Sequence, residues 1–440
     1  MYLRRLGPFS HPPGSGMLVG CMLRHVALFL SVASLPACGA DLGAPVSHPL
    51  PAWLKLGAEL RGRLEVNTAT GFLRGNDDGY YLHRLRLNAA LEPHSQIRFF
   101  IQVQDSHAPG LGQTPAPASV VNTLDLRQGY LETGAAGTGW SLRVGRQDIL
   151  LGEERLVGAA GWGNVTRSFD AARLSYKRKG ARLDWFASAV VVPLNGSFDH
   201  PRLANGFYGF YSSFDNLVKN STVEPYVLWK TASAGDLDVY TVGARAVGKL
   251  PRGFDHGLEM AFQVGHAARE DIRAWAGHWV LGYTLPVRKP PPRLLFEYNY
   301  ASGDRDPTDG RRGTFDQLYP TNHYKYGTAD RIGWRNIRDL MPGLEWRPTA
   351  KWRFNLDWHR FWLASLRDAL YTEAGAALLR AAAASHRRVG DELDFQLSWQ
   401  LGNRLTLGAG VAHIFPGPYL KQAGRGAAVS YPYLMWSYRL

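Results

Sequence analysis

Between residues 54 and 67 apolar and polar side chains alternate one for one. Leu54, Leu56, Ala58, Leu60, Leu64 and Val66 form one set, and Lys55, Glu59, Arg61, Arg63, Glu65 and Asn67 the other. A period of two puts these sets on opposite faces of a β-strand and fits no amphipathic helix. Residues 392–401 repeat the pattern, with Leu393, Phe395, Leu397, Trp399 and Leu401 set against Glu392, Asp394, Gln396, Ser398 and Gln400. Weaker copies occupy 80–92, 97–105, 124–132, 142–147, 170–177, 182–192, 223–230, 238–248, 258–266, 275–284, 293–302, 336–347, 352–362, 405–415 and 431–440, making 17 windows in all.

A closed antiparallel barrel satisfies every strand edge and gives the polar face a wet interior. Bacterial barrels carry an even number of strands, with short periplasmic turns and long outer loops. Counted from a periplasmic start, the long segments 67–79, 106–123 and 148–169 fall outside, but 303–335 and 363–390 fall inside unless the aromatic stretch 206–214 is also a strand. Adding it gives 18 strands, turns the short links 93–96, 178–181, 348–351 and 402–404 into periplasmic turns, and returns the C-terminus to the periplasm. The expected fold is therefore all-β, a transmembrane antiparallel β-barrel of about 18 strands with long extracellular loops. Trp53, Tyr80, Trp140, Trp229, Trp275, Tyr283, Trp346, Trp352 and Trp399 lie near strand ends, where interfacial aromatics belong. A soluble β-sandwich is the alternative, but it would rarely place so many arginines at alternate positions. The closing alternation Leu434, Trp436, Tyr438, Leu440 has the form of a barrel-assembly signal, although such signals normally end in Phe or Trp rather than Leu440.

The N-terminus modifies this picture only by removal. Arg4, Arg5 and Arg24 precede an apolar run over 26–35 that ends in Ala37-Cys38-Gly39-Ala40, the arrangement of a secretory signal peptide. We expect a leader over 1–40, a short periplasmic segment over 41–53 and the barrel over 54–440; a start at Met17 or Met22 leaves the same apolar run. The alternative is a lipobox reading of Leu35-Pro36-Ala37-Cys38, with Cys38 lipidated. Both cysteines, Cys21 and Cys38, fall within the leader, so disulfides, zinc–thiolate sites and cysteine nucleophiles are excluded from the mature chain. Loss of the three leader arginines lowers the net charge from +13 to +10. That charge is scattered as single arginines rather than gathered into a patch, which argues against nucleic acid as a partner.

On the expected inner faces stand Arg61, Arg63, Arg84, Arg86, Arg98, Arg127, Arg143, Arg173 and Arg353, accompanied by Glu59, Asp125, Asp184, Glu297, Asp357 and Asp394. A guanidinium is a fork of donors matched to carboxylates, so an arginine-lined water channel lowers the barrier for an anion. Some of these pairs are expected only to brace the wall. His266, His278, His359 and His413 lie within strands without a neighbouring Ser or Asp at triad spacing, and no catalytic residue, metal ligand or cofactor is assigned. The run Gly303-Asp304-Arg305-Asp306-Pro307-Thr308-Asp309-Gly310 has three close carboxylates but lacks the spaced ligands of a calcium loop, and its Asp, Pro and Gly suit a surface turn. The Ala-rich stretch 373–384 is expected to form a short helix in an outer loop.

Longer motifs carry a family resemblance. They are Glu297-Tyr298-Asn299-Tyr300-Ala301-Ser302-Gly303-Asp304, Gly313-Thr314-Phe315-Asp316-Gln317-Leu318-Tyr319-Pro320-Thr321-Asn322-His323, Lys325-Tyr326-Gly327 and Gly333-Trp334-Arg335-Asn336. Upstream come Leu126-Arg127-Gln128-Gly129-Tyr130-Leu131, Gly145-Arg146-Gln147, Glu154-Arg155-Leu156, Trp162-Gly163-Asn164 and Phe169-Asp170. In this order they resemble the alginate export family of outer-membrane porins. The resemblance implies an 18-stranded barrel with a constricted electropositive pore through which the best-known members release a polyuronate. Its arginine-rich conduit would map onto Arg84, Arg86, Arg127 and Arg146. The expected protein is a monomeric, passive outer-membrane channel for anionic polysaccharide or small anions. It would sit among outer-membrane lipids, with periplasmic secretion components as candidate partners. A barrel enzyme or receptor using the long outer loops is the alternative.

Overall fold

A computed structural model describes residues 50–440 except 115, 136, 288, 289 and 382; the leader and Cys38 lie outside the described residues. Eighteen long strands follow one another: β1 (Leu54–Asn67), β2 (Asp78–His94), β3 (Ile97–His107), β4 (Asn122–Gly134), β5 (Gly139–Gln147), β6 (Phe169–Arg178), β7 (Ala181–Val192), β8 (His200–Val218) and β9 (Ser221–Ala232). The second half adds β10 (Leu237–Lys249), β11 (Phe254–Ala267), β12 (Glu270–Thr284), β13 (Arg293–Ala301), β14 (Ile337–Thr349), β15 (Trp352–Leu363), β16 (Arg388–Leu401), β17 (Leu405–Pro416) and β18 (Val429–Arg439). Each of the expected windows, 206–214 included, overlaps one of these strands. Consecutive strands pair antiparallel, and β1 pairs with β18 through Leu60↔Tyr438 and Gly62↔Trp436, which closes the barrel. Among the described residues no helix is long and apolar enough to cross a membrane.

The links at one end are short, such as 179–180 and 350–351, whereas 148–168, 302–336 and 364–387 all emerge at the other. Asn336 Nδ2 reaches the carbonyls of Ser365 and Ala369 at 2.9 Å, so the last two long loops share that end. By the short-turn rule it is the extracellular end.

Alternation along each strand sends one set of side chains outward to hydrocarbon. Leu56, Leu60, Leu85, Leu87, Phe262, Val264, Phe296 and Phe395 are all exposed. The inner face is not simply wet. The loops 148–168 and 302–336 turn into the barrel and build an apolar core in its outer half, where Phe315, Tyr326, Ile332 and Trp334 pack against Ile149, Val157, Phe169, Phe207, Leu363 and Val389. At roughly 25 cal/mol per Å² of buried apolar area, this core anchors the loops as fixed parts of the fold.

Of two local expectations, the helix fails and the turn holds. The described residues of 373–384 form no helix; instead Leu370–Tyr371 pairs with Ala377–Leu379 in a small hairpin. A helix of that length is marginal without a partner. Gly375, at φ +83°, makes the tight turn, and Leu370 is fully buried in the core. The 303–310 run is a turn in which aspartates cap nearby amides, as Asp304 Oδ1 accepts from Asp306 N and Asp309 Oδ1 from Arg311 N.

Candidate functional site

The inner faces of β1, β2 and β4 bring Arg61, Arg63, Arg84, Arg86 and Arg127 together against the 148–168 loop. Arg61 donates to the carbonyls of Gly161 and Gly163 at 3.2 and 2.9 Å, and Arg84 to Gly163 at 3.0 Å and Glu59 at 2.7 Å. Arg63 donates to Trp162 O at 2.6 Å, lies 3.9 Å over the indole and pairs with Glu65. Arg86 and Arg127 share the Thr166 hydroxyl, and Arg127 also meets Gln102 and Asp148. Arg127 shares the inward face with Asp125, and the β3–β4 register shifts between Gln102 and Val103. That bulge adds a residue to β4 and lets both Arg127 and Gln128 face the lumen.

The remaining arginines are dispersed. Arg98 lies near the turn end beside Glu92 at 3.5 Å, Arg143 pairs with Glu132 at 2.6 Å, and Arg173 with Asp184 at 3.0 Å. Arg353 lines an inner cavity, and its side chain makes no hydrogen bond or ion pair among the described residues. Arg146 departs from the expectation. Three positions from inward Arg143 on a regular strand, it shares the outward face with Trp140, Leu142 and Val144 and pairs with Asp170 at the outer rim. It therefore does not line the lumen.

The 148–168 loop crosses the barrel. From the arginine wall it reaches β13, where Arg155 donates to Glu297 at 2.9 Å, and β10, where Glu153 pairs with Arg245 at 2.7 Å. It then meets the 302–336 loop in a short parallel contact, with Tyr319 N to Leu156 O and Gly158 N to Tyr319 O both at 2.8 Å. Arg167 ties both loops by donating to the carbonyls of Gly158, Tyr319 and Pro320 at 2.9, 2.7 and 2.9 Å. On the far wall, Asp394 and Glu392 of β16 accept from the amides of Thr328 and Ala329 at 3.0 and 2.8 Å. Gly327 permits this approach, since a side chain there would collide with the Glu392 carboxylate.

Among the described residues, two cavities lie beside these crossings. The outer one, about 430 Å³, is lined by Trp162, Thr166, Arg167, Asn322, His323, Asp330 and Glu373 among others. The inner one, about 470 Å³, is lined by Glu153, Arg155, Glu297, Tyr324, Lys325, Arg353 and Asp357 among others. Asn322 and His323 line the first while Tyr324 and Lys325 line the second, so this segment stands between the two. His323 stacks on Trp162 at 3.9 Å, on a ring that also meets Arg63, Tyr324 and Tyr433.

Burial shapes the loop charges. It works to raise the Glu153 carboxyl, but Arg155 and Arg245 outweigh it and hold the group at about 2. Burial works against the Arg155 cation too, yet Glu297, Tyr326 and Glu153 hold it above its ordinary range. Arg167 is pulled down by burial to about 10 and stays charged at neutral pH. Burial, then Arg155, lowers the Lys325 ammonium to about 8. Burial and then Arg63 push the His323 imidazole well below its usual value, which leaves it neutral.

Arg155, Arg167 and Lys325 were not singled out from alternation because they lie outside any strand. Arg155 and Lys325 fall inside motifs that carry the family resemblance, whereas Arg167 lies between two of them.

A closed 18-strand antiparallel barrel with inward-folded outer loops defines an outer-membrane porin. The chain matches the alginate export family over residues 52–431, and it belongs to that family. It is an outer-membrane channel protein of the Gram-negative type. Among solved structures it is similar to OpdO of Pseudomonas aeruginosa, at 13% identity over 88% of this chain and 97% of that one, with a TM-score of 0.61. It is likewise similar to a BenF-like porin from Pseudomonas fluorescens Pf-5, at 9% identity over 88% and 98% of the two chains, TM-score 0.60. OccAB2 of Acinetobacter baumannii gives 12% identity over 88% and 98%, TM-score 0.60. These likenesses show the fold. No curated protein matches the sequence.

Proposed function

We propose that this channel passes small anionic solutes, carboxylated saccharides above all, by passive diffusion through the two cavities. One observation carries the reading: Arg61 and Arg167 clamp the inward loops through carbonyl oxygens rather than carboxylates. Such bonds satisfy the donors but do not cancel the charge. Lys325 and Arg353 add two cations on the inner cavity that lack a carboxylate partner among the described residues, whereas Glu153, Glu297 and Glu345 there are paired. Asp357 is the acid on that wall without an ion pair among the described residues. Fixed charge in a narrow, low-dielectric passage focuses potential along it, and uncompensated guanidinium groups suit carboxylates. The crossed loops favour single sugars and short oligouronates over a wide polymer.

Proteoliposomes measure this directly. Galacturonate should enter faster than galactose, which has the same ring and no charge, in isosmotic swelling. Equal rates would overturn the anionic-saccharide reading while leaving the channel intact. A second expectation concerns pH. Lys325 is charged below about 8 and neutral above it, so anion preference should fall as pH rises from 7 to 9. The Lys325→Met variant should start at the lower preference and show no such step; a step that persists in the variant would assign the titration elsewhere.

A further inference from the structure

On the lipid-facing side of β13 to β16, two rings of aromatics mark the edges of the hydrocarbon band. Near the turn end Trp352 stacks on Trp399 at 5.0 Å, and Trp346 on Phe354 at 5.7 Å. Toward the loop end Trp275 stacks on Tyr300 at 4.3 Å, and Trp358 and Trp362 lie on the outward positions of β15. Between the rings the outward residues include exposed Leu356, Leu393 and Phe395. Such girdles sit at the headgroup level of each leaflet.

Arginines stand at the outer ring and beyond it. One row of cross-strand partners reads Tyr300, Arg338, Trp362 and Arg388 across β13 to β16. The next row inward reads Tyr298, Leu340, Arg360 and Asp391. At ~4.8 Å between strands each row spans roughly 15 Å, wide enough to meet more than one anionic group. Arg360 bonds Asp391 at 2.6 Å and lies 4.7 Å over Trp358, Arg388 shares the same carboxylate, and Arg338 lies 5.8 Å over Tyr300 without an ion pair among the described residues. Three guanidinium groups thus face one carboxylate. Their side chains are solvent-accessible, 37% for Arg360 and 44% for Arg388, so planar donors remain for an outside acceptor. Charge of this sign would repel bound cations, and at headgroup depth the acceptor that matches a guanidinium fork is phosphate.

We infer that Arg338, Arg360 and Arg388 form a docking site on the barrel wall for a phosphorylated glycolipid headgroup of the outer leaflet. Trp358 and Trp362 flank the upper end of its acyl chains. The site is independent of the lumen and of what passes through it.

The test uses the full mature barrel in detergent, with native mass spectrometry counting retained lipid. The probes are a bis-phosphorylated glucosamine glycolipid, its enzymatically dephosphorylated form, and inorganic phosphate. Wild type should bind the first tightly and the second weakly, with inorganic phosphate failing to displace the first at millimolar concentration. The R338Q/R360Q/R388Q variant should bind the phosphorylated lipid on the order of tenfold more weakly or worse, from the loss of three surface cations. R338Q alone breaks no ion pair among the described residues and should lose a few-fold, which guards against a folding defect in the triple variant; heat-modifiable gel mobility confirms closure of both. Equal binding of wild type and R338Q, or equal binding of the dephosphorylated lipid, would overturn the site. Effective competition by inorganic phosphate would overturn its assignment to a lipid.

Discussion

Shortening the 313–334 segment to a brief Gly-Ser link will raise the unit conductance several-fold and shift passage toward larger solutes. The barrel wall itself is wide, since porins of 16–18 strands enclose an aqueous channel, and what narrows it is the loop pair. Residues Phe315, Tyr326, Ile332 and Trp334 are almost completely buried in the outer half of the lumen. Removing them opens the outer cavity and also strips Tyr324 and Lys325 from the inner one. The β-strands should survive, because their hydrogen bonds run from strand to strand around the closed wall and do not pass through the loop. Single-channel recording in planar bilayers gives the answer. Unchanged conductance with a folded barrel would mean that ions do not use the space this loop occupies.

The second large effect belongs to Arg63. It is 2% exposed, and Glu65 beside it is 4% exposed. Arg63→Ala leaves a buried carboxylate without its cation, held only by hydroxyls, those of Tyr80 at 2.9 Å and of Tyr431. It also removes the cation under Trp162 and the bond to its carbonyl. Breaking a buried pair from one side costs about 3–5 kcal/mol, and the indole contact adds up to about 2 kcal/mol where it is desolvated. Because the wall is held by its strand ladders, the loss should appear first in the loop. Residues 158–166 should become cleavable by protease in the folded barrel, and the open channel should flicker. Arg63→Met combined with Glu65→Gln removes both charges and should recover about half of the loss. If Arg63→Ala resists protease as wild type does, the loop is held by other contacts.

The strand ladder could be read from the chain because a lipid-facing wall imposes alternation on every strand, and parity then demanded the aromatic strand at 206–214. What alternation could not reveal was the fate of the loops. Phe315, Leu318, Tyr326, Ile332 and Trp334 have no period, and an apolar residue without period can lie in a core, at an interface or on a surface. Nor does a period-two count foresee a bulge, and the inward place of Gln128 depends on one. Arg146 teaches the reverse lesson. Its position three residues from Arg143 already placed it on the outward face, and carrying it into the conduit from a motif overrode that parity. The arginines of β1 and β2 share one face of their strands, and Arg61, Arg63 and Arg84 commit donors to loop carbonyls. Only coordinates show this, since the acceptors lie about a hundred residues away in sequence. The cations that face open space, Lys325 and Arg353, are set by where the loops cross.

The most direct test of the central claim is the reversal potential of the wild-type channel in a planar bilayer under a tenfold potassium chloride gradient. At ~0.15 M salt the Debye length is about 8 Å, comparable to the half-width of a passage divided by two loops, so the fixed charge reaches across it. The account predicts a potential of the sign that marks chloride as the more permeant ion, large in dilute salt and shrinking as both compartments are raised toward 1 M. The double variant Lys325→Met, Arg353→Met should lie closer to zero, because it removes two uncompensated cations without touching a loop anchor. A wild-type potential at zero, or of the sign that marks potassium as the more permeant ion, would contradict the anion-channel reading.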